Sequence, residues 1–260
     1  MSPSLSYEVR ANNLSRASEN RIHADDVARK FGFTGALVPG VEVYAYAMHP
    51  AVAKWGRAWL EHGTGEARFF KPVYDQALVQ VNAVPAGDSL ALRVESGGLA
   101  CATGSAAMPS PGGPPVASAW AWRDPPAERL PASETTLATG SVLCAAPQLL
   151  AEDYLDGVRE TEALYRREGL AHPGQILRLC NRVLTENVVL GPWIHLGSQV
   201  RNFSAGRLRE AVTARALVLS EGDHKGHRLA ELDVVVLGED ARVLARVRHA
   251  AIWRPRQLAG

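Results

Sequence analysis

The sequence predicts an α+β protein with a mostly antiparallel sheet, in which one helix-plus-sheet unit occurs twice. Three observations predict it. Shifting the chain by 134 positions superposes Gly35 on Gly169, Pro39-Gly40 on Pro173-Gly174, Trp59 on Trp193, Gly63 on Gly197 and Phe69 on Phe203 without a gap. These residues mark backbone geometry and large core positions, where a duplication stays visible longest. Each Pro-Gly pair opens a helix-like stretch. Each helix is followed by four or five runs of strand character.

The elements follow in order. Gly40 to about Trp55 reads as the first central helix, which Pro50 is expected to kink or interrupt. Leu60–Phe70, Ala77–Val84, Ser89–Glu95, Leu99–Ala107 and Val116–Trp122 read as strands, and Pro109–Pro115 as a surface loop between the last two. The stretch Arg123–Glu134 is rich in proline and charge and has no apolar period, as expected of a linker. Two units of ordinary domain size result, residues 1–123 and 135–260, joined by 124–134. In the second unit Ile176, Leu179, Cys180 and Val183 fall at i, i+3, i+4 and i+7, one face of a helix running from Gly174 to near Asn187. Strands are expected at Ile194–Phe203, Glu210–Leu219, Arg228–Leu237 and Arg242–Trp253, with turns at Gly222-Asp223 and Gly238–Asp240. Near the unit ends, Ala121-Trp122-Arg123 resembles Ile252-Trp253-Arg254.

Composition narrows the function classes. The 260 residues are 47% hydrophobic and 21% charged, ordinary for a globular chain. Lys plus Arg number 28 against 27 Asp plus Glu, so the net charge of +1 gives no basic field for nucleic acid. Three scattered cysteines suit a reducing compartment better than a disulfide framework. The first residues lack a secretion pattern, and the longest uncharged stretch, Thr135 to Ala151, is too short and broken to span a bilayer. The expectation is a soluble, cytoplasmic protein without nucleic-acid or membrane partners.

The stretch from Ser18 to Val41 carries the chemistry. Asn20, Ile22, His23, Asp25, Ala28, Gly32-Phe33, Gly35 and Gly40 stand in the spacing Asn-x-Ile-His-x-Asp, Ala, Gly-Phe-x-Gly, Gly, and Arg68-Phe69-Phe70-Lys71-Pro72-Val73 follows downstream. Over residues 18–84 this pattern resembles the MaoC-like acyl-thioester hydratases and dehydratases of the hotdog fold, (R)-specific lyases acting on enoyl thioesters. The duplication is then similar to the family's double-hotdog members, in which one half keeps the site. The resemblance implies a double hotdog, an acyl-CoA or acyl-carrier-protein thioester as substrate, no metal and no cofactor. It also leaves room for a homodimer of double-hotdog chains.

Residue by residue, it implies that His23 is the acid/base, that Ser18 and Asn20 position water, and that the amides of Gly40 and Val41 bind the thioester carbonyl. Hydration next to a thioester needs a base, a holder for the water and donors for the enolate oxygen. A histidine near neutral pKa and a helix N-terminus supply the first and the last. From spacing alone, His23 also reads as an ordinary helix-start residue, and Ser18 and Asn20 as turn residues. Departures from the pattern are specific. Ser18 stands where the family has its catalytic Asp, Arg21 where it has Pro, and Pro39 where it has His. In the second unit the positions of Asn20 and His23 fall on Tyr154 and Gly157, so its site is expected to be degenerate.

Glu42 offers a second reading. It occupies the helix position that Ile176 holds in the repeat, an inward place, with His49 seven residues on. A carboxylate facing the groove would suit a hotdog thioesterase, whereas a helix-N-terminal Glu reaching solvent would not. A third reading is a non-catalytic acyl-thioester-binding or assembly protein that lacks the family's Asp. His224 and His227 read as a solvated turn and not as metal ligands, and Gly63-Thr-Gly-Glu is no phosphate loop. The sequence has no Gly-x-Ser-x-Gly elbow, so serine hydrolysis has no support.

Overall fold

The computed structural model describes residues 5–108 and 112–256. Strand β1 (Leu5–Arg10) is followed by a long excursion holding a 3-10 turn (Arg21–His23) and helix α1 (Asp25–Lys30). Helices α2 (Gly40–Trp55) and α3 (Arg57–His62) come next, then strands β2 (Thr64–Phe69), β3 (Leu78–Ala86), β4 (Ser89–Ser96) and β5 (Leu99–Ala107). A connecting segment with a short β6 (Leu130–Pro131) leads to β7 (Val142–Leu149) and helices α4 (Tyr154–Gly157), α5 (Ala163–Glu168) and α6 (Pro173–Thr185). The short β8 (Val188–Val189) and the strands β9 (Ile194–Asn202), β10 (Ala211–His224), β11 (His227–Leu237) and β12 (Val243–Arg254) complete the chain.

Ten strands form one antiparallel sheet in the order β1-β3-β4-β5-β2-β9-β12-β11-β10-β7. Read outward from its middle, the order is 2-5-4-3-1 on one side and 9-12-11-10-7 on the other, the same path twice. The halves meet where β2 pairs with β9, with Ala67 opposite Ser198. Gly197 is required there, because a Cβ on it would lie 2.6 Å from the Ala67 carbonyl oxygen.

Helices α2 and α6 pack against each other, and both bury into the single core shared by the halves. They start within one residue of equivalent places: α2 begins at Gly40 with Pro39 as its cap, and α6 at Pro173, the counterpart of Pro39. Proline fits that first position because its missing N–H would have no partner inside the helix. The period read in α6 holds, with Ile176, Leu179, Cys180 and Val183 all buried. Helix α2 runs unbroken through Pro50, against the expected interruption. Nearly every residue from Val41 to Val52 is buried, so tertiary packing offsets the roughly 3 kcal/mol that an interior proline costs.

Other expectations shift. Leu60–His62 belongs to helix α3 and the strand begins only at Thr64. Val116–Trp122 is not a strand. It is a 3-10 turn and extended chain that lays Trp120 on Val235, Leu237 and Val243, with the Arg246 guanidinium 5.1 Å from the indole. Trp122 therefore has no structural likeness to Trp253 in β12, and Trp59 in α3 has none to Trp193 in the loop before β9. Strands β1 and β7 had no counterpart in the reading. The hairpin turn expected at Gly222-Asp223 lies at Lys225-Gly226, whose φ values of 54° and 80° suit a two-residue loop. The loop expected at Pro109–Pro115 falls partly outside the described residues.

Candidate active site

The excursion between β1 and α2 builds the site by folding back on itself. Asn13 donates to the His23 carbonyl at 2.9 Å, Asp25 accepts from the Ala36 amide at 2.7 Å, and Ile22, Ala28 and Leu37 bury a small apolar cluster beneath. Asn20 caps the 3-10 turn and ties it to the second half. Its Oδ1 accepts from the Trp193 amide at 3.3 Å, while its Nδ2 donates to the Trp193 carbonyl at 3.0 Å. That pairing fixes which end of the Asn20 amide faces the neighbouring ring.

The ring is His23. Its Nδ1 lies 2.8 Å from the Leu37 carbonyl, an acceptor only, so Nδ1 carries the proton and Nε2 is the basic atom. Nε2 lies 3.3 Å from Asn20 Nδ2, a donor, which agrees with that tautomer. Burial holds the imidazole pKa below its ordinary 6.5, with the Leu37 hydrogen bond opposing and the charge of Arg178 adding to the depression. Burial thus favours a neutral, oriented imidazole whose Nε2 is free of a proton.

Two cavities meet at this ring. One, of about 240 Å³, is mainly apolar, lined by Ile22, Leu37, Val43, Phe69, Val73 and Ile194 among others. The second, of about 380 Å³, is the more polar of the two and carries Ser18, Arg129, Arg178 and Arg182. Asn20, His23, Pro39, Asn181 and Trp193 line both. Gly40 opens onto the apolar cavity and Val41 onto the polar one. The Pro39 carbonyl takes the amides of Glu42 and Val43, leaving those of Gly40 and Val41 with no carbonyl inside the helix. Pro39 supplies no side-chain cap either. A Cβ on Gly40 would come within 2.7 Å of His195 Nδ1, so only glycine fits this approach.

The structure therefore gathers His23, Asn20, Ser18, Gly40 and Val41. Ser18 lies on the polar wall with a long 3.4 Å contact from its hydroxyl to the Asn20 carbonyl. Glu42 is elsewhere. It is fully buried between α2 and α6, its Oε1 accepts from Arg178 Nε at 2.5 Å, and it lines neither cavity. Burial raises its pKa, with Arg178 opposing. Asn181, Trp193 and His195 escaped the sequence reading although they line the apolar cavity. His195 hydrogen-bonds Ser198 at 2.9 Å, and Ser198 in turn bonds His249 at 2.9 Å. Alternation along β9 would not have flagged His195, because it is out of step with the inward Ser198, Val200 and Asn202 across a register irregularity; Asn181 and Trp193 gave no site signal either. Among the described residues no group of three or more His, Cys, Asp or Glu side chains could hold a metal ion.

The corresponding place in the second half is built differently. Tyr154, the offset counterpart of Asn20, sets its phenol against Gly174 so closely that a Cβ there would lie 2.2 Å from the hydroxyl. His172 Nδ1 caps α6 by accepting from the Gly174 amide, and Pro173 has no N–H. The helix start that is bare in α2 is capped in α6.

No protein-family model matches the sequence, and no curated protein matches it. Solved structures do match. Rv0216 from Mycobacterium tuberculosis, described as a double hotdog fold, aligns with a TM-score of 0.65 and 14% identity over 97% of this chain and 96% of that one. A MaoC-domain protein of Chloroflexus aurantiacus, named as a dehydratase, gives 0.60 and 9% over 97% and 95%. The dehydratase domain from the CurJ module of the curacin polyketide synthase gives 0.59 and 10% over 99% and 94%. Proteins named as thioesterases are also among the matches. At these identities the likeness concerns the fold. With the strand path repeated about the β2–β9 seam and one long helix per half, the chain is a double hotdog.

Proposed function

We propose that this protein hydrates and dehydrates acyl thioesters, on acyl-CoA or acyl carrier protein, in the manner of the MaoC-like enzymes its sequence resembles. One observation carries the reading: His23 is held neutral in a single tautomer where an apolar and a polar cavity meet, beside the bare amides of Gly40 and Val41. The acyl chain takes the apolar cavity, and the pantetheine arm leaves along the polar one. His23 Nε2 accepts a proton from water as the water oxygen bonds to C3 of the enoyl chain. The π electrons move onto the thioester oxygen, where the two helix amides stabilise the negative charge. The imidazolium then returns its proton to C2. Dehydration is the reverse.

The thioesterase reading asks Glu42 to act on substrate. Its burial against Arg178, away from both cavities, favours hydration instead. The test is to incubate the protein with crotonyl-CoA and with saturated acyl-CoAs, following enoyl absorbance and free thiol together. Loss of absorbance without thiol supports hydration. Thiol release abolished in Glu42→Gln supports a thioesterase. Tight acyl-CoA binding with neither signal supports the non-catalytic reading.

A further inference from the structure

In the pattern this chain resembles, a carboxylate shares the water with the histidine, and here Ser18 stands in that place. A serine hydroxyl cannot ionise at neutral pH, so something else has to hold the water against His23.

Five residues form the junction of the two cavities, and two of them come from the second half: Asn181 on α6 and Trp193 just before β9. Each brings a buried polar atom with no hydrogen-bond partner in the protein. Trp193 Nε1 is an unpaired donor on a side chain that is only 4% exposed, and Asn181 Oδ1 is an unpaired acceptor. Buried polar atoms are nearly always paired, and an orphan donor and an orphan acceptor at one junction call for something between them. The two atoms are complementary in kind, and the Trp193 backbone is clamped on both sides by Asn20, whose amide also faces His23.

We propose that Asn181 and Trp193 are water-holding residues: with His23 they seat the water that adds to C3, or the 3-hydroxyl that leaves. This rests on the hydratase reading above. Water has two hydrogens and two lone pairs. One hydrogen goes to His23 Nε2, displacing the long 3.3 Å contact from Asn20 Nδ2, and the other to Asn181 Oδ1. One lone pair accepts from the Trp193 indole N–H, and the second forms the bond to C3. As that bond forms, the C2–C3 π pair moves to the thioester oxygen and the shared proton passes to His23. The same proton then goes to C2. Asn181 and Trp193 give up no proton and orient the oxygen only.

The experiment pairs kinetics with binding on the intact protein. Trp193→Phe removes the N–H together with part of the ring volume, so binding of butyryl-CoA serves as the control for packing, and Asn181→Leu keeps the volume without the carbonyl. Each is expected to lower kcat for crotonyl-CoA hydration at least tenfold with little change in KM. Binding of butyryl-CoA, measured by calorimetry, should stay within twofold because that ligand calls for no water. Asn181→Asp should restore rate with a new acidic limb in the pH profile, since a carboxylate accepts the same hydrogen only when ionised; a merely structural asparagine would add no limb. Wild-type rates in both variants, or an equal loss of butyryl-CoA binding, would overturn the proposal. If the wild type proves not to hydrate crotonyl-CoA, the function reading fails and the water site is judged by binding alone. The wild type should then prefer (R)-3-hydroxybutyryl-CoA over butyryl-CoA, and Trp193→Phe and Asn181→Leu should lose that preference. No preference in the wild type would overturn the water site as well.

Discussion

In the proposed reaction His23 works as a base only while it is neutral, a form that its burial favours. Burial keeps its pKa below 6.5, so the midpoint of the acidic limb of the hydration rate should lie below pH 6.5. A pH profile of kcat/KM for crotonyl-CoA whose acidic limb is centred at 6.5 or above would contradict this. The same logic bears on stability through His195 and His249. Burial pushes His195 down to about 3 and His249 well below the ordinary value. Both are then neutral in the folded protein and take up protons near 6.5 once unfolded. Their stability contribution is therefore present above 6.5 and is lost as pH falls below it, by up to about 1.4 kcal/mol per pH unit for each group. Urea midpoints measured from pH 7 to 4 should show a steep decline that His249→Leu makes shallower. An unchanged slope in that variant would mean that His249 is not titrating on unfolding. At this scale His23 and Asn20 were legible through the resemblance carried by residues 18–41, since spacing alone reads them as helix-start and turn residues. Trp193 was not: it meets Asn20 across 173 positions, and no local pattern records that contact.

Elements owe their placement to a few demanding contacts. Helix α2 meets α6 through Glu42 and Arg178, an ion pair whose carboxylate has no exposure and whose second oxygen is unpaired. Removing the cation strands a buried charge, which typically costs about 3–5 kcal/mol, whereas replacing both partners with apolar residues is often close to neutral. Arg178→Met should accordingly destabilise the protein strongly, and Glu42→Met combined with Arg178→Met should recover most of the loss in denaturant unfolding. A double variant no better than the single one would show that the pair has no such role. The inward place of Glu42 was legible from Ile176 at the same offset. Its partner was not, because Arg178 sits on the other half's helix. Pro50 misled for a related reason: propensity speaks for a helix in water, and α2 is enclosed by the sheet and α6.

Across the whole molecule, the duplication was visible in Gly and Pro but only partly in Trp. Glycine and proline report backbone constraints that both halves share, as at Gly40 and Pro173. Tryptophan reports local packing, which has diverged: Trp59 fills the core under α3, and Trp193 serves the site. The seam between β2 and β9 and the packing of α2 on α6 make each half dependent on the other. Residues 1–123 expressed alone should not unfold cooperatively as a monomer, since β2 would become an open edge and α2 would lose its partner. A monomeric fragment with a sharp unfolding transition in sedimentation and circular dichroism would refute that dependence. The proposed reaction rests on the same union, because His23 and the bare helix start lie in the first half while Asn181 and Trp193 of the second close the cavities around them. The most direct test of this account is the hydration of crotonyl-CoA, followed by enoyl absorbance, in the wild type and in His23→Ala. The account predicts turnover in the wild type and a loss of roughly 10²–10⁴-fold in the variant, with circular dichroism unchanged. Equal rates in the two folded proteins would contradict it.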